Sequence, residues 1–405
     1  MNLSPATSYA FGAAFFFLPL SKPLTLVSLG LGAMLFALTL VSSAPARVRP
    51  APTARAGRLP AWSIAAGVLA ALPVVSLFVH DDGFANTEYL ALAYYWLLAL
   101  LVHEASRRMP IQGWLVAFIS GTLLVFAYTQ LRLLGWQPPG SEPSALRNAI
   151  LYSQFLLAGI LVCALLHREA SRRGTRIACW VAIALLAFGL ASGTGQGPAG
   201  GTRLSGAIVL LALMPLLAAC LLPARRARAV IAACVLGGAA LLATPPVQTR
   251  IAQAVHDVEQ WRQANPRTSI GYRLEMWRTA GELVGDHPVA GSGPKAFQRA
   301  WVARFPAQEE RFDEPHSAYL FYASAYGLPG LVALVLLFAA LLHRGWRHLA
   351  TLPGGLTFGF AVFCVLAGFA NTLFVGTTSA LMLMLFIGLQ GALGRAPTRS
   401  ADART

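Results

Sequence analysis

An arginine that follows a run of glycines is the first feature of the sequence with chemical potential. The glycine-rich stretch 193–201 precedes Arg203, which stands where an apolar segment begins. Glycine lets a backbone approach a ligand closely, and a guanidinium group can bind a phosphate through two parallel hydrogen bonds. The same pattern fits a flexible loop whose arginine reaches toward the membrane surface, so the spacing leaves both interpretations open.

A second arginine lies beside an aromatic residue. Arg273 and Trp277 are four residues apart, so on a helix they share one face. A cation next to an aromatic ring suits a phosphate or sugar ligand. The alternative is an amphipathic helix whose tryptophan anchors it at a membrane interface.

His316 is the candidate general base. It follows Asp313 and Glu314 and precedes an apolar segment. An imidazole changes charge near neutral pH, and nearby acids can orient it, so it can take a proton from a hydroxyl group. For a single histidine, a purely structural role is the alternative. Arg147 and Lys22, at the ends of other apolar segments, are further candidates for binding a phosphate.

The sequence predicts neither a metal site nor a cofactor. It lacks an HxxxH pair and an Asp-x-Asp pair, and its five cysteines all lie inside apolar runs. Arginines would therefore have to neutralise a diphosphate. The turn 291–294 leads into a short helix, but Pro294 removes one amide donor, which favours a structural role over anion binding.

A membrane protein has to position these residues. Of the 405 residues, 56% are hydrophobic and 12% are charged, and mean hydropathy is +0.60. This composition excludes a soluble domain and indicates an all-α polytopic membrane protein. Runs of the length needed to cross a bilayer predict about twelve transmembrane helices. They are 5–21, 24–43, 61–79, 88–102, 111–131, 148–166, 177–193, 204–222, 229–244, 317–342, 352–370 and 376–393.

The loops predict the orientation. One alternate set of loops carries 18 arginines, whereas the short loops of the other set carry only Lys22, Arg132, Arg147 and Arg203. The positive-inside rule therefore places both termini in the cytoplasm. The net charge of +15 follows from this topology and does not indicate a nucleic-acid partner. Between their first and last residues, none of the twelve apolar segments contains a charged residue or a histidine, which argues against an ion-coupled transporter.

One long polar segment divides the predicted spans. Residues 1–244 hold helices 1–9, 245–316 form a partly helical periplasmic loop, 317–393 hold helices 10–12, and 394–405 form a cytoplasmic tail. Apolar spacing within the loop predicts amphipathic helices over about 250–263 and 270–285. Pro294, at the first position of a helix, predicts a third short helix over 295–305.

The motifs and their order resemble the O-antigen ligases, within the larger O-antigen ligase and polymerase superfamily. The matching residues are Tyr272-Arg273-x-x-x-Trp277, Pro288-x-x-Gly291-x-Gly293-Pro294-x-x-Phe297, His316-Ser317-x-Tyr319-Leu320 and Gly201-Thr202-Arg203. Ser317 stands where the family often has Asn, and Thr202 where Ser is common.

The resemblance implies a metal-independent, inverting glycosyltransferase of the bacterial inner membrane. Its donor would be undecaprenyl-pyrophosphate-linked O-antigen, and its acceptor the lipid A–core oligosaccharide, on the periplasmic face. His316, Arg273 and Arg203 would be catalytic, with Arg147, Lys22, Trp277 and Tyr319 helping to bind the pyrophosphate. A polysaccharide polymerase and a protein O-oligosaccharyltransferase are the alternatives. A lipid-linked sugar transporter and a structural scaffold fit the sequence less well.

Overall fold

The computed structural model describes residues 4–42, 61–80, 87, 89–136, 146, 149–192, 213–242, 245–263, 265, 267–306, 312–375 and 377–394. These residues form helices, and no β-strand occurs among them. In chain order the helices are α1 (Ser4–Phe17), α2 (Lys22–Ser42), α3 (Ala61–Val79), α4 (Leu90–Arg108), α5 (Gln112–Leu133), α6 (Ala149–Glu169), α7 (Arg173–Ser192), α8 (described over 213–221), α9 (Ala224–Leu242), α10 (Pro245–Arg262), α11 (Ser269–Asp286), α12 (Ala296–Arg304), α13 (Ala318–Arg347), α14 (Leu352–Ala367) and α15 (Thr377–Gly388), which continues as a 3₁₀ turn over Leu389–Gly394.

Six helices in the described part of the chain are long and apolar enough to cross a bilayer. They are Lys22–Val41, Ala61–Val79, Gln112–Leu133, Leu151–Glu169, Arg173–Leu190 and Ala318–Arg347. Two shorter apolar helices cover Leu352–Ala367 and Thr378–Leu393. The chain is therefore a multi-pass membrane protein, and the predicted all-α membrane fold is confirmed. The number twelve stays a prediction.

The first predicted span is shorter than expected. The sequence predicts a helix over 5–21, whereas α1 ends at Phe17 and has 14 residues, a length of about 21 Å. Pro19 lies in the turn that follows, and α2 begins at Lys22. The hairpin of α1 and α2 packs on the middle of α5, where a Cβ on Gly121 would meet the Phe16 carbonyl and the Pro19 ring.

The C-terminal helix lies at the centre of the bundle. Every residue from Ala380 to Ile387 is at most 3% exposed. Phe386 stacks on Phe360 at a centroid distance of 4.1 Å and meets Phe15 and Phe118 edge-on. Since this helix is apolar on every face, burial on every side is the arrangement that its sequence favours.

The arginine-rich helix ends meet at one end of the bundle. Arg168 Nη1 donates a hydrogen bond to the Leu349 carbonyl at 3.0 Å, and Glu169 Oε1 accepts one from the Leu352 amide at 2.7 Å. These contacts bring the C-terminus of α6 to the turn between α13 and α14. Ser106 Oγ, at the end of α4, likewise donates to the Gly388 carbonyl at 3.0 Å.

The helix after the polar segment is kinked. The sequence predicts 317–342 as one long span that tilts, but α13 breaks at Gly327, which has φ +70° and ψ −171°. Pro329 follows two residues later and has no amide hydrogen to donate to Ala325. The break leaves carbonyl groups of the preceding turn without their usual partners within the helix.

The polar segment contains the three helices that the sequence predicts. The predicted ranges 250–263, 270–285 and 295–305 correspond to α10, α11 and α12, and α10 begins earlier, at Pro245. Thr268 caps α11, because its side chain accepts a hydrogen bond from the Gly271 amide at 3.0 Å. The placement of this segment in the periplasm stays a prediction.

Candidate functional site

A buried carboxylate joins the three helices of the polar segment. Glu275 is 5% exposed. Its Oε2 accepts a hydrogen bond from Trp261 Nε1 on α10 at 2.9 Å, and its Oε1 lies 3.3 Å from Arg304 Nη1 on α12. A charge buried in this way is stable only when it is paired and hydrogen-bonded. Glu275 therefore fixes how α10 and α12 sit on α11.

Arg304 extends the same network along α11. Its Nη1 donates to Thr279 Oγ1 at 2.9 Å, and its Nη2 lies 2.8 Å from Glu282 Oε2. Burial acts to raise the pKa of Glu282, but hydrogen bonds from Arg278 and Arg304 outweigh it and lower that pKa. The motifs in the sequence predict no role for these residues. The sequence pattern that could have indicated the network is the i, i+4, i+7 spacing of Glu275, Thr279 and Glu282. This spacing places three polar groups on one helix face.

Arg273 on α11 differs from Arg278 and Arg304 because it has no carboxylate partner among the described residues. Its side chain is half-buried, and it makes no hydrogen bond or ion pair to any other residue that the structure describes. Burial lowers the pKa of the Arg273 guanidinium. One turn further along, Trp277 is 38% exposed, so the predicted pair of a cation and an aromatic ring occurs on a partly open face.

A chain of aromatic rings connects α11 to His316. The Tyr272 and Phe312 rings are 5.7 Å apart, and Phe312 meets the His316 imidazole edge-on, also at 5.7 Å. Trp301 of α12 packs against Phe312 at 5.2 Å. Phe312 is thus the one ring between Tyr272 on α11 and His316. Arg273 is the next residue after Tyr272 on the same helix.

His316 has an unusual backbone conformation. Within the described ranges it is the one non-glycine residue with positive φ, at +49°. This left-handed conformation is uncommon outside glycine and occurs often at functional sites. The imidazole Nδ1 lies 3.5 Å from Glu314 Oε1, which is long for a hydrogen bond but close enough for electrostatic attraction. The side chain is 36% exposed, so a substrate can reach it.

The end of α14 holds the residues that follow His316. The Ala318 amide donates to the carbonyls of Gly368 and Asn371 at 2.8 and 3.1 Å. The Tyr319 hydroxyl donates to the Val365 carbonyl at 2.9 Å. These bonds fix the start of α13, and they show that the Tyr319 hydroxyl already has a partner within the protein. Its contact with a substrate stays a prediction.

The glycine turn docks into the kink of α13. The Ser292 and Gly293 amides donate to the carbonyls of Ser324 and Ala325 at 2.8 and 3.1 Å, and the Leu328 amide donates to Pro288 at 2.7 Å. Since both glycine-turn amides are used in this way, the turn is structural, as its sequence favoured. Gly291 has φ +73°, and a Cβ there would lie 2.5 Å from the Ala325 oxygen.

His80, for which the sequence predicts no role, holds the other side of this turn. Its Nε2 lies 3.1 Å from the Gly291 carbonyl, and its Nδ1 lies 3.1 Å from Ser76 Oγ.

Arg203 and Arg147 lie outside the described residues, so the structure does not place them. Lys22 begins α2, and its part in the site stays a prediction.

The family comparison covers this region. Residues 197–335 match the family described as O-antigen ligase. This match supports a place for the chain in the O-antigen ligase and polymerase superfamily. A comparison with curated proteins gives no match. The matched stretch, about a third of the chain, includes Arg203, Arg273, His316 and the start of α13.

The O-antigen ligase family defines an activity class. Its members are membrane glycosyltransferase-like enzymes, either ligases or polymerases, and the family implies a lipid-linked polysaccharide substrate. The aromatic cluster, the half-buried Arg273 and the partly exposed His316 all lie within the matched stretch. Among the described residues, no group of three or more His, Cys, Asp or Glu could hold a metal ion.

Proposed function

We propose that this protein is an O-antigen ligase of the bacterial inner membrane. It transfers O-antigen polysaccharide from undecaprenyl pyrophosphate to a sugar of the lipid A–core, with α10–α12 on the periplasmic face. One observation carries the proposal: Arg273, half-buried and without a described acidic partner, directly follows Tyr272, whose ring is separated from His316 by the Phe312 ring alone. A cation in that state is suited to an anionic ligand.

Arg273 binds the pyrophosphate of the donor in this scheme. Taking a guanidinium partly out of water is costly unless an anion compensates, and its neighbours Arg278 and Arg304 already have carboxylate partners. A pyrophosphate offers two charged groups to a planar fork of N–H donors. Arg203 provides a second guanidinium, and Arg147, Lys22, Trp277 and Tyr319 contribute weaker contacts.

His316 is the general base. Because Nδ1 faces Glu314 Oε1, the other nitrogen, Nε2, is the atom that takes the proton from the acceptor hydroxyl. Glu314 stabilises the imidazolium that forms. The deprotonated oxygen attacks the anomeric carbon and the bond to the pyrophosphate oxygen breaks, so the configuration inverts. Undecaprenyl pyrophosphate leaves with the bonding electrons, and its charge is stabilised by Arg273 and Arg203 without a metal ion.

The experiment that tests this proposal uses the pattern of lipopolysaccharide chain lengths. Deletion of a ligase leaves core–lipid A without a polysaccharide ladder, whereas deletion of a polymerase leaves core carrying a single repeat unit. We expect the first pattern, restored by the wild-type gene. Purified protein should also join donor to core–lipid A in the presence of EDTA. The single-unit pattern would assign the chain to the polymerases, and transfer to a protein acceptor would make it an oligosaccharyltransferase.

A further inference from the structure

A cavity of about 510 Å³ lies where the end of α3 meets α11 and α12. The polar side chains in its wall include Asp286, His287, Ser292 and Arg299, and Leu283 and Ala290 contribute apolar surface. Asp286, His287 and Arg299 are exposed, so the cavity is open to solvent. The mechanism above uses none of these residues.

Hydrogen bonds fix the turn that lines the cavity at Gly291 and Ser292. His80 contacts the Gly291 carbonyl, and Ser292 Oγ donates to the Leu283 carbonyl at 3.2 Å. The Ser292 amide is bonded to Ser324 in the kink of α13. These bonds link α3, α11 and α13 around one turn, so the cavity keeps its shape without a ligand. Such preformed sites bind with a smaller loss of conformational freedom.

The side chains that line the cavity fit one class of ligand better than others. A lipid tail needs an apolar wall, which Asp286, His287 and Arg299 do not provide. A phosphate needs an excess of positive charge, but the carboxylate of Asp286 balances the guanidinium of Arg299. A sugar ring presents hydroxyl groups and C–H faces together, which matches mixed polar and apolar walls. We infer that this cavity binds part of the glycan, a polyhydroxylated carbohydrate, during transfer.

The position of the cavity supports this inference, which rests on the proposed function. Ala296 lies in its wall and Trp301 lies five residues further along α12, a rise of about 7.5 Å. Trp301 packs on Phe312, which packs on His316. The cavity and the base therefore both adjoin α12, a helix of nine residues and about 13.5 Å, which an extended chain of a few sugar residues can span. The cavity is a subsite for sugars distant from the bond that forms.

The test fills the cavity and measures carbohydrate binding. Ala290→Trp places a bulky side chain in the opening, and Ala303→Trp makes the same change on an exposed position of α12 outside the cavity. The probes are lipid-free O-polysaccharide and lipid-free core oligosaccharide, both released from lipopolysaccharide by mild acid. Each is titrated against the full chain in nanodiscs. We expect Ala290→Trp to raise Kd at least about tenfold for one or both probes, and Ala303→Trp to leave it unchanged.

The two probes distinguish the two sources of carbohydrate. An effect on the polysaccharide alone assigns the cavity to the donor, and an effect on the core oligosaccharide alone assigns it to the acceptor. Absence of binding to the wild type, or wild-type binding by Ala290→Trp, overturns the inference. A third result would also overturn the inference. Mass spectrometry would show phosphatidylethanolamine bound to the wild type and lost from Ala290→Trp, while sugar binding stays unchanged. The cavity would then hold a lipid headgroup.

Transfer measured in the same preparations separates this inference from the proposed function. Wild-type protein that binds the polysaccharide but transfers nothing counts against the proposed ligase activity alone. Transfer by the wild type, together with wild-type carbohydrate binding by Ala290→Trp, counts against the cavity alone.

Discussion

The amide of Gly293 donates a hydrogen bond to the carbonyl of Ala325, across 3.1 Å, at the point where α13 breaks. Pro329 has no amide hydrogen, so this carbonyl has lost the partner that a continuous helix would supply. The turn before α12 thus completes the hydrogen bonding of a broken helix. Through this contact the polar segment is attached to the membrane bundle at the kink of α13, the helix that follows His316 in the chain.

Gly291→Ala is expected to destabilise this attachment. The new Cβ would lie 2.5 Å from the Ala325 oxygen, and the backbone there has φ +73°. Strain and displacement together should cost on the order of 2 kcal/mol, measured as a lower melting temperature in detergent. Gly281→Ala on α11, where a Cβ would meet nothing within 4 Å, is the matched control. Equal melting temperatures for the two variants would contradict the docking role of the turn.

Arg273→Ala should lower the transfer rate about 10²- to 10³-fold, because the pyrophosphate loses a preformed partner in the transition state. Arg273→Lys should recover activity only in part, since an ammonium group cannot make two parallel hydrogen bonds. Arg278→Ala, which removes an exposed arginine from the same helix, is the control and should stay active. Full activity of Arg273→Lys would mean that charge alone matters.

His316→Ala should remove most turnover and leave donor binding nearly unchanged, because the arginines hold the pyrophosphate. Both quantities are measured in one preparation, with the exposed His256→Ala on α10 as control. Weak donor binding with normal turnover of the bound donor would make His316 a substrate contact and not the base.

Glu275→Ala should destabilise the polar segment by about 2 kcal/mol, because a partly buried donor loses its acceptor. The change leaves the Trp261 indole without its described partner, while Arg304 keeps Glu282 and Thr279. Hydrogen exchange should rise across α10, α11 and α12 and much less across α14. Glu259→Ala, on an exposed position of α10, provides the comparison. Unchanged exchange in Glu275→Ala would show that apolar packing alone holds these helices.

Labelling of introduced cysteines tests the orientation. Gln260→Cys on α10 should react with a membrane-impermeant reagent added from the periplasm, and Arg228→Cys on α9 only after the membrane is opened. The parent protein, without an introduced cysteine, gives the background reaction, because its native cysteines lie in apolar runs. Reaction of Gln260→Cys from the cytoplasm would reverse the proposed topology and place the site on the wrong side for its donor.

Local sequence determined most of the helices. Apolar runs predicted the membrane class, and the 3.6-residue spacing of apolar side chains predicted α10 and α11. Pro294, as a residue typical of the first position of a helix, predicted α12. The motif around Arg273 and His316 predicted the family that the match over 197–335 supports. Each of these features depends on residues near one another in the chain, which is why sequence alone contains them.

Tertiary structure decided which polar residues have partners. Arg273, Arg278 and Arg304 are alike in sequence, yet Glu275 and Glu282 pair with the latter two and leave Arg273 without a described partner. The His80 contact with Gly291 joins residues 211 positions apart, and no local pattern encodes it. The docking of the glycine turn into α13 likewise arises from packing between distant segments. Burial and pairing energies depend on all neighbours in space, so only the folded chain determines them.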